Sequence, residues 1–304
     1  MAINRSQIPS ELRPGLAAIT GKYKEMPAHY KELFHIGQSR MAVEISVEMA
    51  FVGLAQLKGE GSATAFDNAA GERFKYNIQN NAVGLGYAMT REAIDDNLYK
   101  DQFGPNNMGL ARAFRQTKEI LCANVLNTGN VVNSTIGGDG VALFATNHPI
   151  DNGTYGNRPA TDMDFNESSL EAALTQINYF PDQRGLLNSI NGRKLAVAPA
   201  NRWAAERIVK TEYRPGTNNN DVNAIMSSGA LPGGYTVNPF FTSAYAWFLL
   251  TDLDGEGLVL YDRVPYEMDI DVDAITGNLN VTGYERYGIG YNNPRGVWGT
   301  FPTS

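Results

Sequence analysis

Between Ser46 and Gln79 two strand-forming stretches flank a tip that nothing local can hold down. Ser46 to Lys58 reads as a strand carrying Val47, Met49, Phe51, Val52, Leu54 and Leu57. Lys58 to Gly71 (KGEGSATAFDNAAG) is dominated by Gly, Ala and Ser, and Glu72 to Gln79 alternates, with Phe74, Tyr76 and Ile78 on one face. Strand, flexible tip and strand make a long hairpin. A two-stranded ribbon is marginal in water, and this one is too long to cover its own apolar side chains. The chain must therefore fold into something that offers the ribbon a partner surface.

Either side of the ribbon the pattern is mixed. Residues 1–45 are polar, with Pro9, Pro14 and Pro27, and form no core of their own. They read as a loosely packed extension or, more sharply, as an arm lying on a neighbouring subunit, with Tyr30 and Phe34 on one helical face to anchor it. Thr90 can cap a helix from Arg91, with Glu92 in its first turn. Gly104-Pro105 interrupts that helix, which resumes near Asn107 and buries Leu110, Phe114, Thr117, Leu121 and Val125. Arg112, Arg115, Lys118 and Glu119 fall mostly off that face. Polar loops are expected over 127–140 and 147–164. Ser168 and Glu171 spell a capping box for a helix striped by Leu170, Ala173, Leu174 and Ile177. A buried strand at 194–198, a helix from Arg202 to about Lys210 capped by Asn201, a long polar loop over 211–234 containing Asn218-Asn219-Asn220, and a β-prone stretch at 235–251 complete an α/β unit.

The clearest strand pair comes last. Tyr266, Met268, Ile270 and Val272 face one way and Glu267, Asp269, Asp271 and Asp273 the other. A two-residue turn at Thr276-Gly277 would pair Val272 with Val281 and Glu267 with Arg286.

Composition removes several function classes. At 304 residues, 43% hydrophobic and 19% charged, the chain can bury a sizeable core. A net charge of −7 gives no broad electrostatic footprint for nucleic acid, although a container need not grip what it encloses. The single cysteine, Cys122, excludes an intrachain disulfide and a multi-thiolate metal site, and its helical setting reads as core. No secretory signal or membrane-spanning run is present, so Asn133, Asn152, Asn166 and Asn280 are chance glycosylation matches. The intact Met1 argues against removal of an N-terminal scaffold segment.

Catalytic signatures are missing too. His29, His35 and His148 show no ligand spacing, and no Walker loop, GxSxG or GxGxxG occurs; Gly84-Leu-Gly86 and Gly288-Ile-Gly290 each lack a third glycine. His148, before Pro149, reads as a turn residue whose loss costs at most the ~0.5–1.5 kcal/mol of a typical hydrogen bond. The acidic strand face at Glu267 to Asp273 invites a divalent-cation reading. Alternate strand residues stand ~6.6–7 Å apart, too far for neighbouring carboxylates to share an ion unaided. A solvated face, or one meeting Arg5, Arg13 or Lys22 of a neighbour's arm, is the plainer reading.

Two segments, AMTREAIDDN (Ala88 to Asn97) and DGVALFATNHP (Asp139 to Pro149), bracket the long helix. A Thr-Arg-Glu start, paired acids, a long helix and a later Asp-Gly, Leu-Phe, His turn, in this order, resemble the major capsid proteins of tailed bacteriophages, nearest to the Mu-type major head subunit branch. The resemblance implies the α+β Hong Kong 97-type fold: an N-terminal arm (1–45), an extended loop with flanking strands (46–82), a peripheral domain with its spine helix (83–164), an axial α/β domain (165–255) and returning peripheral strands (256–304). It implies a shell of hexamers and pentamers enclosing double-stranded DNA without sequence-specific binding. Portal and possible scaffolding or decoration proteins would be its partners. Assembly would occur in the host cytoplasm and the product would reside in the virion, with no membrane, cofactor, metal or catalytic residue. Some members of that fold join a Lys of the extended loop to an Asn of another subunit, and Lys58 and Lys75 lie in the right region. The acidic strand matches no family role. An encapsulin-like compartment, a small-molecule enzyme using His148, and a tail or fibre protein remain the alternatives.

Overall fold

The computed structural model describes residues 22–23, 25–67, 70–95, 103–213, 221–253 and 255–303. A 3-10 turn at His29–Glu32 leads into β1 (His35–Gln38). Strands β2 (Val43–Ala50) and β3 (Gly71–Gln79) form the ribbon. Then follow β4 (Asn81–Met89), the short helix α1 (Arg91–Asp95), the long helix α2 (Phe103–Asn127), and the small hairpin β5 (His148–Ile150) and β6 (Gly153–Tyr155). Helix α3 (Glu167–Asn178), β7 (Gly192–Val197), α4 (Arg202–Lys210), α5 (Ala224–Ser227), β8 (Tyr235–Val237) and β9 (Trp247–Thr251) make the α/β unit. The chain ends in β10 (Leu258–Val272), β11 (Leu279–Tyr291) and β12 (Val297–Thr300).

Two four-stranded sheets organise these elements, ordered β1-β10-β11-β4 and β12-β9-β7-β8. The second is covered on both faces, as the unbroken apolar run Trp247-Phe248-Leu249-Leu250 requires. Trp247 and Leu249 pack with Leu195, Trp298 and helices α3 and α4. Phe248 and Leu250 pack on the opposite side with Cys122, Ala123 and Leu126 of α2 and with Leu258 and Leu260. The first sheet carries α2 on one face, where Leu110, Ala111 and Phe114 meet Tyr266 and Val281. Gly283 permits this approach, because a Cβ there would stand 2.6 Å from the Phe114 ring. The C-terminal stretch therefore belongs to both sheets: β11 lies in the first and β12 in the second.

Several local expectations shift. Gly104-Pro105 does not interrupt a helix; it lies in the first turn of α2, where Pro gives up no intrahelical bond. Thr90 Oγ1 accepts from the Ala93 N–H at 3.4 Å, as a cap should. The buried face of α2 is rotated from the one expected. Leu110 and Phe114 are buried but Leu121 is 40% exposed, and Arg115, Lys118 and Glu119 are covered. The cover is the segment before β1. The N–H groups of His29 and Tyr30 donate to Glu119, and Arg115 donates to the Tyr30 hydroxyl and the Tyr23 carbonyl. Tyr30 and Phe34 are buried anchors, as read.

Helix α3 is capped by Asn166, whose side chain accepts from Ser169, and not by Ser168. Asn201 donates to the Ala244 carbonyl and caps nothing. The polar stretches at 147–164 and 211–234 contain β5–β6 and α5; Asn218-Asn219-Asn220 lie outside the described residues.

Strands β10 and β11 pair two residues away from the expected register, with Val272 opposite Leu279, Ile270 opposite Val281 and Val264 opposite Arg286. The turn is longer than Thr276-Gly277. Asp273 accepts from Ile275 N–H and the Thr276 hydroxyl, and Gly277 takes φ +70°. A two-residue slip preserves both faces, so the acidic row still points outward.

Candidate assembly interface

The ribbon touches its own subunit at its root and exposes its far end. Tyr76 and Ile78 of β3 are buried, and Phe74 packs on the central core. Between Ala50 and Gly71 the described residues form no strand, and Phe51, Val52, Leu54, Leu57 and Phe66 range from 63% to fully exposed. Burying five such side chains is worth about 8–15 kcal/mol at ~1.5–3 kcal/mol each. An apolar patch of that kind on a surface extension marks an interaction site.

The root is fixed by charge. The pairing of β2 with β3 shifts between Val47 and Met49, so that Arg73 and Phe74 together stand opposite Glu48, a β-bulge that bends the ribbon. Glu48 forms a buried ion pair with Arg295, and the Tyr76 hydroxyl donates to it at 3.4 Å. Further out, Arg73 holds Asp151 through two bonds of 2.7 and 2.9 Å. Arg184 meets Asp67 at 3.0 Å, and the Gly53 N–H donates to the same carboxylate at 2.7 Å.

Behind Arg295 lies the polar cluster containing His148. Arg295 stacks over Tyr155 at 4.4 Å, and Tyr155 stacks on His148 at 5.0 Å. His148 is fully buried between Asp139 (Nδ1, 2.5 Å) and the Asn157 side-chain oxygen (Nε2, 3.0 Å). Asn157, also fully buried, donates to the carbonyls of Leu143, Pro294 and Val297 at 2.7–3.1 Å and accepts from Ala145 N–H. The cluster ties the 139–148 turn to the Pro294–Gly296 turn that carries Arg295. His148, expected in a turn, opens strand β5 instead, and it engages partners through both ring nitrogens where a single hydrogen bond was expected. Its ring partners are a carboxylate and a carboxamide, not a nucleophile. Sequence reasoning missed Asn157, Glu48 and Arg295; the DGVALFATNHP segment was the signal for the first.

Elsewhere the chemistry is sparse. Glu267, Asp269 and Asp271 are exposed, and among the described residues no three His, Cys, Asp or Glu side chains gather to hold a metal. Arg5 and Arg13 lie outside the described residues. Cys122 is buried among apolar neighbours, which pushes its thiol up and away from reactivity. Under the α2 helix, Lys118 meets Asp262 at 2.6 Å and Glu285 at 3.8 Å, and burial pushes the Glu285 carboxyl up. A cleft of about 580 Å³ lined by Lys31, Glu32, His35, Arg193 and Lys194 is crossed by the Lys194–Glu32 pair. No described helix is long and apolar enough to cross a membrane.

Comparison with known proteins gives these features a setting. No curated protein sequence matches the chain. Similar solved structures include a virus-like particle from Pyrococcus furiosus (TM-score 0.56, 9% identity, 96% of this chain and 98% of that one). Microbacterium phage Oxtober96 (0.55, 10%, 91% and 92%) and the procapsid of bacteriophage JBD30 (0.51, 16%, 99% and 77%) are also similar. At these identities the likeness establishes the fold, which is the α+β Hong Kong 97-type capsid fold expected from the resemblance. The family described as "Phage capsid protein" matches residues 79–299, well over half of the sequence; the chain belongs to that family.

Proposed function

We propose that the chain is the major head protein of a tailed double-stranded DNA bacteriophage and a structural protein without enzymatic activity. It self-assembles through hexamers and pentamers into an icosahedral shell around the packaged genome. The observation that carries this reading is the ribbon: exposed apolar side chains beyond a charged root, on a chain of the phage capsid family. A second copy is the natural cover, since obligate assemblies bury large apolar interfaces. In this reading residues 1–45 are the arm, 46–82 the extended loop, 83–164 and 256–304 the peripheral domain and 165–255 the axial domain. A portal and scaffolding or decoration proteins complete the head, which is assembled in the host cytoplasm and resides in the virion. Assignment to the Mu-type branch rests on the AMTREAIDDN and DGVALFATNHP segments.

An encapsulin-like compartment is the second reading, favoured by the likeness to the Pyrococcus furiosus virus-like particle over 98% of that chain; the contents of purified particles, nucleic acid or protein, separate the two. The test of the ribbon's role is deletion of Gly59 to Ala70. The rest of the chain should fold, because an exposed loop adds little to its own core, while closed shells should fail to form. Normal particles from the deletion would sink the assignment.

A further inference from the structure

An amine and two carboxyls are folded together where α2 crosses β10 and β11. Lys118 Nζ of α2 lies 2.6 Å from the Asp262 carboxylate of β10 and 3.8 Å from the Glu285 carboxyl of β11, and the Lys118 and Glu285 side chains are only 6% and 1% exposed. Aromatic groups wall them in. Lys118 Nζ stands 4.5 Å from the centre of the Tyr287 ring and 5.6 Å from that of Tyr30, and the Tyr23 hydroxyl donates to Glu285 at 3.0 Å. Taking an ammonium out of water is costly, and a desolvated lysine is an activated nucleophile. An amide in the same place would carry no charge to desolvate. The Glu285 carboxyl is pushed up by burial, and its Oε1 has no hydrogen-bond partner among the described residues, which suits a proton carrier better than a fixed counter-ion. The Asp262 side chain is 35% exposed, so a small product has a way out.

We propose that Lys118 and Asp262 form a self-modification site, at which an amide bond closes within one chain between Lys118 Nζ and Asp262 Cγ while Glu285 carries the protons. A proton passes from the Lys118 ammonium to the Asp262 carboxylate it touches. The free amine lone pair then attacks Cγ and the N–C bond forms. Glu285 gives its proton to the departing hydroxyl and takes one back from the nitrogen, the C–O bond breaks, and one water leaves. Ammonium and carboxylate become amide and water, with no oxidant, reductant or other reactant. Holding the two reacting groups in contact lowers the barrier, and catalytic contacts such as the 3.8 Å one to Glu285 commonly shorten in the reacting state. The bond ties the long helix to the first sheet across 144 positions of sequence. It stands apart from the assembly reading.

Mass spectrometry of the denatured full-length chain tests the bond. Wild type should be lighter than its sequence by one water, and a digest should contain a branched peptide joining the segments around Lys118 and Asp262. Lys118→Arg keeps a cation beside both carboxyls but offers no amine to acylate, and should show the full mass. Glu285→Gln keeps both reacting groups and should slow the loss of water by about 10²–10⁴-fold, the range of a general acid–base group, read as full mass in freshly made protein. Wild type at full mass, as free chain and in any particles it forms, would overturn the site, and that outcome requires no variant to fold. Loss of water that survives in Lys118→Arg, or that maps to other residues, would overturn the assignment. Loss as fast in Glu285→Gln as in wild type would overturn the proton-carrying role.

Discussion

Replacing Asn157 by Ala should be among the most damaging single changes outside the apolar core. Two amide hydrogens shared by the carbonyls of Leu143, Pro294 and Val297 are lost, together with the acceptor for Ala145 N–H and for His148. Four hydrogen bonds at ~0.5–1.5 kcal/mol each come to about 4 kcal/mol, and full burial denies the orphaned groups water. For a chain of this size ~1 kcal/mol moves the melting temperature by about 2–4 °C, so the expected fall is roughly 8–16 °C. Tryptophan fluorescence reports it directly, because Trp247 and Trp298 are fully buried in the adjoining sheet. The Pro294–Gly296 turn would loosen with it, so protease cleavage near the ribbon root should rise as well. A fall of less than about 2 °C would refute the claim that this cluster holds the two turns together.

Other expectations are as sharp. His148→Ala leaves Asp139 and Asn157 without their shared ring partner and should cost about 1–3 kcal/mol for the two hydrogen bonds, with particles, if formed, more heat-sensitive. Gly283→Ala places a Cβ against Phe114 and Tyr266 and should cost about 1–3 kcal/mol in a denaturant titration. The Glu285 carboxyl is held up by burial, so its contribution is present at low pH and lost as pH rises through the folded value. Glu285→Gln keeps an acceptor for the Tyr23 hydroxyl, and melts below and well above the ordinary glutamate value of ~4.3 should show the variant gaining on wild type at the higher pH. The Arg73 hydrogen bonds hold the Asp151 carboxyl below the usual range. Its contribution is present above the ordinary aspartate range and lost only as pH falls through the lower folded value, so the gap in melting temperature between wild type and Asp151→Asn should close at the acid end.

What the sequence revealed follows from the range of the forces involved. Local patterns were legible: the alternation of β10 and β11, the stripe on α3, and the ribbon with its unsupported tip. The β10–β11 register was not, because the Asp273 side chain builds the turn and Thr276-Gly277 alone looks like a shorter one. The covered charges of α2 were misread because periodicity sees only the helix, while Tyr23 and Tyr30 cover it from 85 or more positions away. The Glu48–Arg295 pair spans 247 positions and depends on a bulge that no residue type announces. The family order was readable nonetheless, since AMTREAIDDN and DGVALFATNHP bracket the long helix within the matched region.

Electron microscopy of the purified full-length chain, paired with sedimentation, tests the central claim most directly. If the chain builds a phage head, closed shells of uniform size should form and sediment far from the 33.2 kDa protomer. A single species at the protomer mass, across salt and concentration ranges that permit capsid assembly, would contradict it.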